Sequence, residues 1–253
     1  MSAPSPSSRL IGLLAGRKSV LVLTGAGVSR ESGIATFRDA GGLWEGVDPA
    51  QVATPRAFAE DPELVWRFYD ARRAAAAAAE PNPAHFAIAA IEAGGAPFVL
   101  ATQNVDGLHE RAGSRTIVRL HGTLWRLRCT ACSDEREDLR PNVVPLPPRC
   151  PSCGAMLRPG VVWFEEPLPM MEFARAEKAA REAELVLVVG TSSLVYPAAT
   201  LPEVALAAGA FVVEINPERT PLSAFASEHL AGPAGVVLPE LLASARIPMG
   251  RAA

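Results

Sequence analysis

The sequence predicts an α/β fold: a parallel sheet covered on both faces, with two segments breaking the alternation of strands and helices. Three observations carry this. Apolar, β-branched runs recur along the chain, helical patterns lie between several of them, and polar clusters stand where the runs end. Strands buried on both faces read as near-continuous apolar runs, and parallel neighbours need helical crossovers.

The run in "KSVLVLTGAGVS" (18–29) reads as a buried strand broken at Gly25 by a glycine turn. Further strands are expected at "PFVLAT" (97–102), "TIVRLHG" (116–122), "ELVLVVG" (184–190) and "AFVVEIN" (210–216), with helices over 83–93, 171–183 and 197–208. The stretch "DPELVWRFYDARRAAAAAAE" (61–80) is helical, with Asp61 as N-cap and Pro62 at the first helical position. Residues 40–80 and 122–161 interrupt the rhythm. They are expected as a helical insert and a cysteine-bearing insert, leaving 1–39, 81–121 and 162–253 for the sheet-bearing domain.

A chain of 253 residues, 49% hydrophobic and 20% charged, fits a soluble globular protein with a sizeable core. A net charge of −3 offers no general attraction to nucleic acid or to an acidic membrane, so neither is expected as a partner. No run reaches the roughly 18 apolar residues of a membrane span. The first apolar stretch is short and is closed by Arg17 and Lys18, where a secretory signal would have its cleavage site. A cytoplasmic location is expected.

Cys129 and Cys132 form one C-x-x-C, Cys150 and Cys153 another, with residues 133–149 between them. Two such turns present four thiolates to one tetrahedral Zn²⁺, in a zinc-ribbon spacing. Two disulfides or two redox motifs are the alternatives; a cytoplasmic location argues against disulfides. A shell of four thiolates is closed, so the expected zinc is structural and leaves no place for a metal-bound water.

"GAGVSRESG" places Gly25, Gly27 and Gly33 after the first strand. Such a turn lets the backbone approach a pyrophosphate, with a helix N-terminus supplying N–H groups, but it equally suits a plain tight turn. The spacing departs from the dehydrogenase fingerprint, which wants its third glycine three residues after the second. Further polar clusters stand at other strand ends: "TQNVD" (102–106), "GTSS" (190–193) and "INPE" (215–218). In an open parallel sheet those ends lie along one edge, where ligands bind.

"GAGVSRESGIATFRDAGGLW", "TQNVDGLHERAG", "LHGT", the paired C-x-x-C motifs, "GTSSLVYPA" and "INPE" stand in an order and spacing that resembles the sirtuins, NAD-dependent protein lysine deacylases, from about residue 18 to 242. The resemblance implies a Rossmann-type large domain and a small domain made of the zinc and helical inserts. NAD and an acyl-lysine protein or peptide would meet in the cleft between them. It implies cleavage of the nicotinamide–ribose bond, capture of the ribose carbon by the acyl oxygen, and release of lysine, nicotinamide and O-acyl-ADP-ribose.

Carried onto this chain, the resemblance makes His121 the base for a ribose hydroxyl, ahead of His85, His109 and His229, with Asn104 and Asp106 as its catalytic companions. An imidazole suits that work near neutral pH. Asp106 would face the nicotinamide amide, while Asn104 would order the ribose and the attacking water. Gly25, Ala26, Gly27, Ser29, Thr36, Trp44, Gln103 and Val105 would line the cofactor, and Phe37 and Arg38 resemble the pair that shields and guides it. Gly190, Thr191, Ser192, Asn216, Pro217 and Glu218 would hold the adenosine half, with Ala234 at the adenine end. Val161, Trp163 and Phe164 would take the substrate.

Tyr69 and Arg72, spaced i, i+3, share a helix face. They resemble the Tyr-x-x-Arg pair of sirtuins that remove succinyl, malonyl and glutaryl groups, the acidic-acyl or class III branch, and small residues at 39–42 would leave room for the longer chain. Guanidinium and phenol together offer three donors to a carboxylate. Arg73 could take the place of Arg72, and an ordinary exposed pair on an Ala-rich helix is the alternative. The rival functions are a plain deacetylase, a mono-ADP-ribosyltransferase and a non-catalytic NAD sensor. Three residues depart from the family pattern: Ala35 where Pro is usual, Arg30 where a small residue is, and Glu165 where Gly is, on the strand expected to pair with substrate backbone.

Overall fold

The computed structural model describes residues 5–36 and 47–249. After helix α1 (Ser8–Ala15), strand β1 (Val20–Thr24) lies at the centre of a six-stranded parallel sheet. β2 (Phe98–Thr102) and β3 (Ile117–Arg119) extend the sheet to one side of β1. Across the chain's inserts, β7 (Leu185–Val189), β8 (Phe211–Ile215) and β9 (Glu228–Leu230) extend it to the other, giving the order β3-β2-β1-β7-β8-β9. β1 and β7 are therefore neighbours from which the sheet grows in opposite directions. Ligand crevices of open α/β sheets form outside the strand ends at such a reversal.

Side chains alternate across these strands, so each strand feeds two cores. Val20, Val22, Leu185, Leu187 and Val189 pack with Leu10, Ile88 and Leu238. These come from α1, α5 (Pro83–Ala93) and α9 (Ala234–Ser244). Leu21, Leu23, Val186 and Val188 face Ala176, Ala180, Leu201 and Ala205, from α7 (Met170–Glu182) and α8 (Thr200–Ala207). The five strands and three helices read from periodicity are all present, the strand at 116–122 in shortened form. α1, α9 and β9 went unread. α1 lies in the stretch weighed only as a leader, and β9, three residues long, is too short for a period.

A third core binds the two interruptions to each other. α2 (Pro49–Val52), α3 (Pro55–Glu60) and α4 (Pro62–Ala78) supply Val52, Phe58, Val65, Trp66 and Tyr69. Against them pack Leu124, Leu127, Leu157 and Val161 of an antiparallel sheet, in the order β5 (Glu135–Glu137), β4 (Gly122–Cys129), β6 (Leu157–Val161). Asp61 caps α4 by accepting from the Leu64 N–H at 2.9 Å, with Pro62 in the first turn. The Trp66 indole donates to the Leu157 carbonyl at 2.8 Å across that core. Arg73, wholly buried, is spent here as well. Its guanidinium pairs with Asp138 at 2.8 Å and donates to the carbonyls of Leu124, Asp138 and Arg140. Burial alone would raise the Asp138 carboxyl, but Arg140 and Arg73 more than offset it and hold it below the ordinary carboxylate range. Among the described residues, no helix is long and apolar enough to cross a membrane.

Candidate active site

The glycine turn after β1 continues not into an α-helix but into a 3-10 segment, Ala26–Ser32, closed by Gly33 at φ 83°. Its N–H groups are partly engaged: Gly25 donates to Val189 O, Gly27 to Gly190 O at 2.8 Å, and Val28 to Gly25 O. The expectation of a helix N-terminus aimed outward is corrected accordingly. The glycines have another reason. A Cβ on Gly27 would stand 2.7 Å from Gly190 O, and one on Gly190, itself at φ 59°, would stand 2.5 Å from Val28 N. The two strand ends meet main chain to main chain, a fit that no side chain permits.

Three hydrogen bonds, two of them from side chains, stitch the strand ends together beside this contact. Gln103 Nε2 donates to Thr191 Oγ1 at 3.1 Å, Asn216 Nδ2 donates to Thr191 O at 3.1 Å, and the Gln103 N–H donates to Thr24 O at 3.0 Å. A cavity of about 840 Å³ opens over them, the size class of a cofactor site. Gly25, Ala26, Gly27, Thr36, Gly190, Thr191 and Ser192 line one end of it, with Asn216, Pro217, Glu218 and Ala234. Tyr69, Arg72, Val161, Trp163 and Phe164 line it elsewhere, and Gln103, Asn104, Val105 and His121 complete the wall. A second cavity of about 180 Å³ shares Arg72 and Asn104 with the first and adds Ser29 and Asp106. Every sequence-predicted site residue that is described thus reaches one cavity or the other, apart from the cysteines. Phe37, Arg38, Trp44 and the small residues at 39–42 lie outside the described residues.

Ser29 is the hub of the smaller cavity. Its hydroxyl donates to Asp106 Oδ2 at 2.8 Å and accepts from Asn104 Nδ2 at 3.1 Å. His85 Nδ1 accepts the Asn82 N–H at 3.2 Å, so the proton of the ring lies on Nε2, 3.4 Å from the same hydroxyl. Asp106 Oδ1 also accepts the N–H of Leu108, the first residue of the short helix α6 (Leu108–Arg111), at 2.9 Å. Burial nevertheless raises the Asp106 carboxyl, outweighing the donors Leu108 and Ser29. Trp125, which donates its indole N–H to Asp106 O at 2.6 Å, fixes the loop from below. Neither His85 nor Trp125 was legible as a support, since each reaches the loop from a distant part of the chain.

His121 stands just before β4 and is half-buried. Its Nδ1 lies 3.1 Å from Gln103 O, and a carbonyl only accepts, so Nδ1 carries the proton and Nε2 keeps its lone pair. Burial lowers its pKa below 6.5, the Gln103 hydrogen bond opposing. His85 is lowered to about 4 by burial, and His109, packed 4.8 Å from it, is lowered well below the usual range by burial and by His85. His229 faces Glu214 at 3.9 Å and lines neither cavity.

At the far end Tyr69 is only 3% exposed, which overturns the alternative of an ordinary surface pair. Its ring lies 6.4 Å from that of Trp163, and the Arg72 guanidinium lies 5.4 Å from its centroid. Burial lowers the Arg72 pKa, opposed by Tyr69 and Asp106, and burial raises that of Tyr69, opposed first by Arg72. Arg73, committed to Asp138, lines neither cavity. Glu165 does not lie on a strand, as expected, but in the turn after β6.

The four cysteines are free of disulfides, with all Sγ atoms within 4.8 Å of one another. Cys129 and Cys153 approach to 3.4 Å and Cys132 and Cys150 to 3.8 Å. A tetrahedral Zn²⁺ with bonds of about 2.3 Å spaces its sulfurs about 3.8 Å apart, so the cluster fits one ion. The N–H groups of Ala131 and Cys132 point at Cys129 Sγ and, with Cys153 and Cys132 as further donors, lower that thiol to about 6, while Cys132 is pushed up to about 12 by the neighbouring sulfurs.

The Sir2 family model matches residues 25–197. The chain is 52% identical over 241 residues to NAD-dependent protein deacylase 1 of Pseudomonas aeruginosa, covering 92% of this chain and 96% of that protein. It is 53% identical over 224 residues to the NAD-dependent protein deacylase of Thermus thermophilus, 87% of each chain. Its fold matches a crystallised Sir2 homolog–NAD complex with a TM-score of 0.91 at 45% identity, over 97% of this chain and 96% of that one. It also matches a Sir2 protein bound to a deacetylated peptide and 3′-O-acetyl ADP ribose, with a TM-score of 0.84 at 29% identity, over 95% and 98% of the two chains.

Proposed function

The chain belongs to the Sir2 family of NAD-dependent protein deacylases, and we propose that it favours lysines carrying an acidic acyl group, succinyl or malonyl, while also accepting acetyl. One observation carries the preference. Of the two adjacent arginines on α4, Arg73 is consumed in a buried ion pair, whereas Arg72 stands beside the buried Tyr69 on the cavity wall. A carboxylate reaching that end would meet a guanidinium and a phenol where little water competes, and charge-assisted hydrogen bonds are then worth about 1.5–3 kcal/mol.

NAD, when bound, supplies an electrophilic ribose carbon. The residues do the rest. His121 takes a proton at Nε2 from a ribose hydroxyl, its ring held by the Gln103 carbonyl. Asn104 and Asp106, tied to the Ser29 hydroxyl, present an amide and an acid to the nicotinamide side. Thr191, Ser192, Asn216, Pro217, Glu218 and Ala234 receive the adenosine half over the glycine floor. The four cysteines hold a structural zinc, away from the reaction.

The test is turnover of succinyl-, malonyl- and acetyl-lysine peptides with NAD, read by mass spectrometry. Arg72→Met should lower kcat/KM for the succinyl and malonyl peptides roughly 10- to 100-fold and leave acetyl within about 3-fold. Equal losses on all three peptides, or a wild type that favours acetyl, would make the protein a plain deacetylase.

A further inference from the structure

Glu165 is the one residue of the cavity wall, among those described, that combines a side chain with a left-handed backbone: its φ is 71°. Non-glycine residues avoid this region, and those that occupy it cluster where function holds them. Its surroundings fix the turn tightly. The Trp163 N–H donates to Glu166 Oε2 at 2.8 Å, the Phe164 N–H donates to Ala53 O at 2.9 Å, and the Glu166 N–H donates to Trp163 O at 3.2 Å. The neighbouring Glu166 is neutralised by a two-pronged pair with Arg158 at 2.6 and 2.8 Å. Glu165 is exposed, and no hydrogen bond or ion pair among the described residues engages its carboxylate.

The direction of the wall says what that charge meets. Trp163 is buried and packs on Tyr69 at the acyl end, while Phe164 and Glu165, one and two residues on, are exposed. A lysine whose acyl group reaches Tyr69 and Arg72 runs outward past Trp163, so its backbone emerges beside Glu165. We infer that Glu165 is a specificity-determining residue of the deacylase, selecting protein segments with Lys or Arg next to the acylated lysine and rejecting those with Asp or Glu there. This rests on the deacylase reading but not on the choice of acyl group.

The experiment compares N-acetyl-lysine peptides that differ only in carrying Arg or Glu on either side of the acetyl-lysine, with NAD saturating. Wild type should favour the Arg peptide in kcat/KM on the order of 2- to 10-fold, mostly through KM, and the ratio should shrink from 0.05 M to 0.5 M salt. Both Glu165→Gln and Glu165→Gly should bring the ratio near one, the second in a backbone that glycine adopts without strain. Because each ratio is taken within one enzyme, a general loss of activity in a variant does not alter it. A wild-type ratio of one, or a preference that survives in both variants, overturns the inference. No turnover of any peptide would sink the deacylase reading instead, and calorimetric affinities of wild type and both variants for the two peptides would then decide the charge preference by the same criterion.

Discussion

The two ends of the large cavity are built from different materials. At the end proposed for the nucleotide the wall is main chain: Gly25, Gly27 and Gly190 meet with no room for a Cβ. At the end proposed for the acyl group it is side chain: Tyr69, Arg72 and Trp163 on a core shared by the two inserts. A floor of backbone admits little variation, because any substitution clashes before it can alter chemistry. A wall of side chains can be retuned one group at a time. In this chain the first end is therefore the harder to alter by substitution, and the second the easier.

His121 lines the same cavity as both groups, and its removal should have the largest effect. His121→Ala should lower deacylation about 10²- to 10⁴-fold, with affinity for NAD largely kept, measured by turnover and by calorimetry. A residual rate within a few-fold of wild type would remove it from the base's role. The next largest effect sharpens the contrast between the adjacent arginines. Arg73→Met strands the Asp138 carboxylate in a site where its side chain is 8% exposed and frees three carbonyls. Breaking such a pair costs about 3–5 kcal/mol, the lower figure fitting here because Arg140 still reaches Asp138. The expected outcome is a fall in denaturant midpoint with the succinyl-to-acetyl ratio unchanged, the reverse of Arg72→Met. Gly27→Ala tests the rigid end. Its Cβ meets Gly190 O at 2.7 Å, so overpacking of about 1–3 kcal/mol is expected, with weaker NAD binding and no change in acyl preference. A stable Gly27→Ala protein with normal NAD affinity would show that the floor yields.

The same contrast explains what could be read from the sequence. Strands β1, β2, β7 and β8 are written in apolar runs and helices α5, α7 and α8 in a regular period, so the centre of the sheet and part of each layer were legible, whereas α1 and α9 were not. The strand-end clusters gave the cavity, and the cysteine spacing gave the metal cluster. What the sequence left open was which of two adjacent arginines faces the cavity. That depends on where Asp138, 65 residues away, comes to lie. The 3-10 segment after β1 was read as a helix start because its glycines suit both, and only the approach of Gly190 separates them. The Ser29 hub was likewise invisible, since His85, Asn104 and Asp106 reach it from separate elements.

The smallest expected effect is the acid limb of activity, and it probes the junction of the two ends. A general base works deprotonated, and burial lowers the His121 pKa below 6.5. At pH 7 more than about three-quarters of a group with such a pKa is already neutral, so kcat/KM should change less than about 1.4-fold between pH 7 and 8. The acid limb, falling toward tenfold per unit, should lie wholly below the ordinary imidazole range. Unfolding must be kept apart from this loss. His85, at about 4 when folded and near 6.5 when unfolded, lets the unfolded chain take up its proton first. Stability therefore declines as pH drops from 6.5 toward 4, and circular dichroism across the range marks where that begins. An activity limb that lies below 6.5 while the fold is still intact belongs to His121. A limb at or above 6.5 would mean that the imidazole is not held in the dry, carbonyl-anchored setting that joins the backbone floor to the side-chain wall.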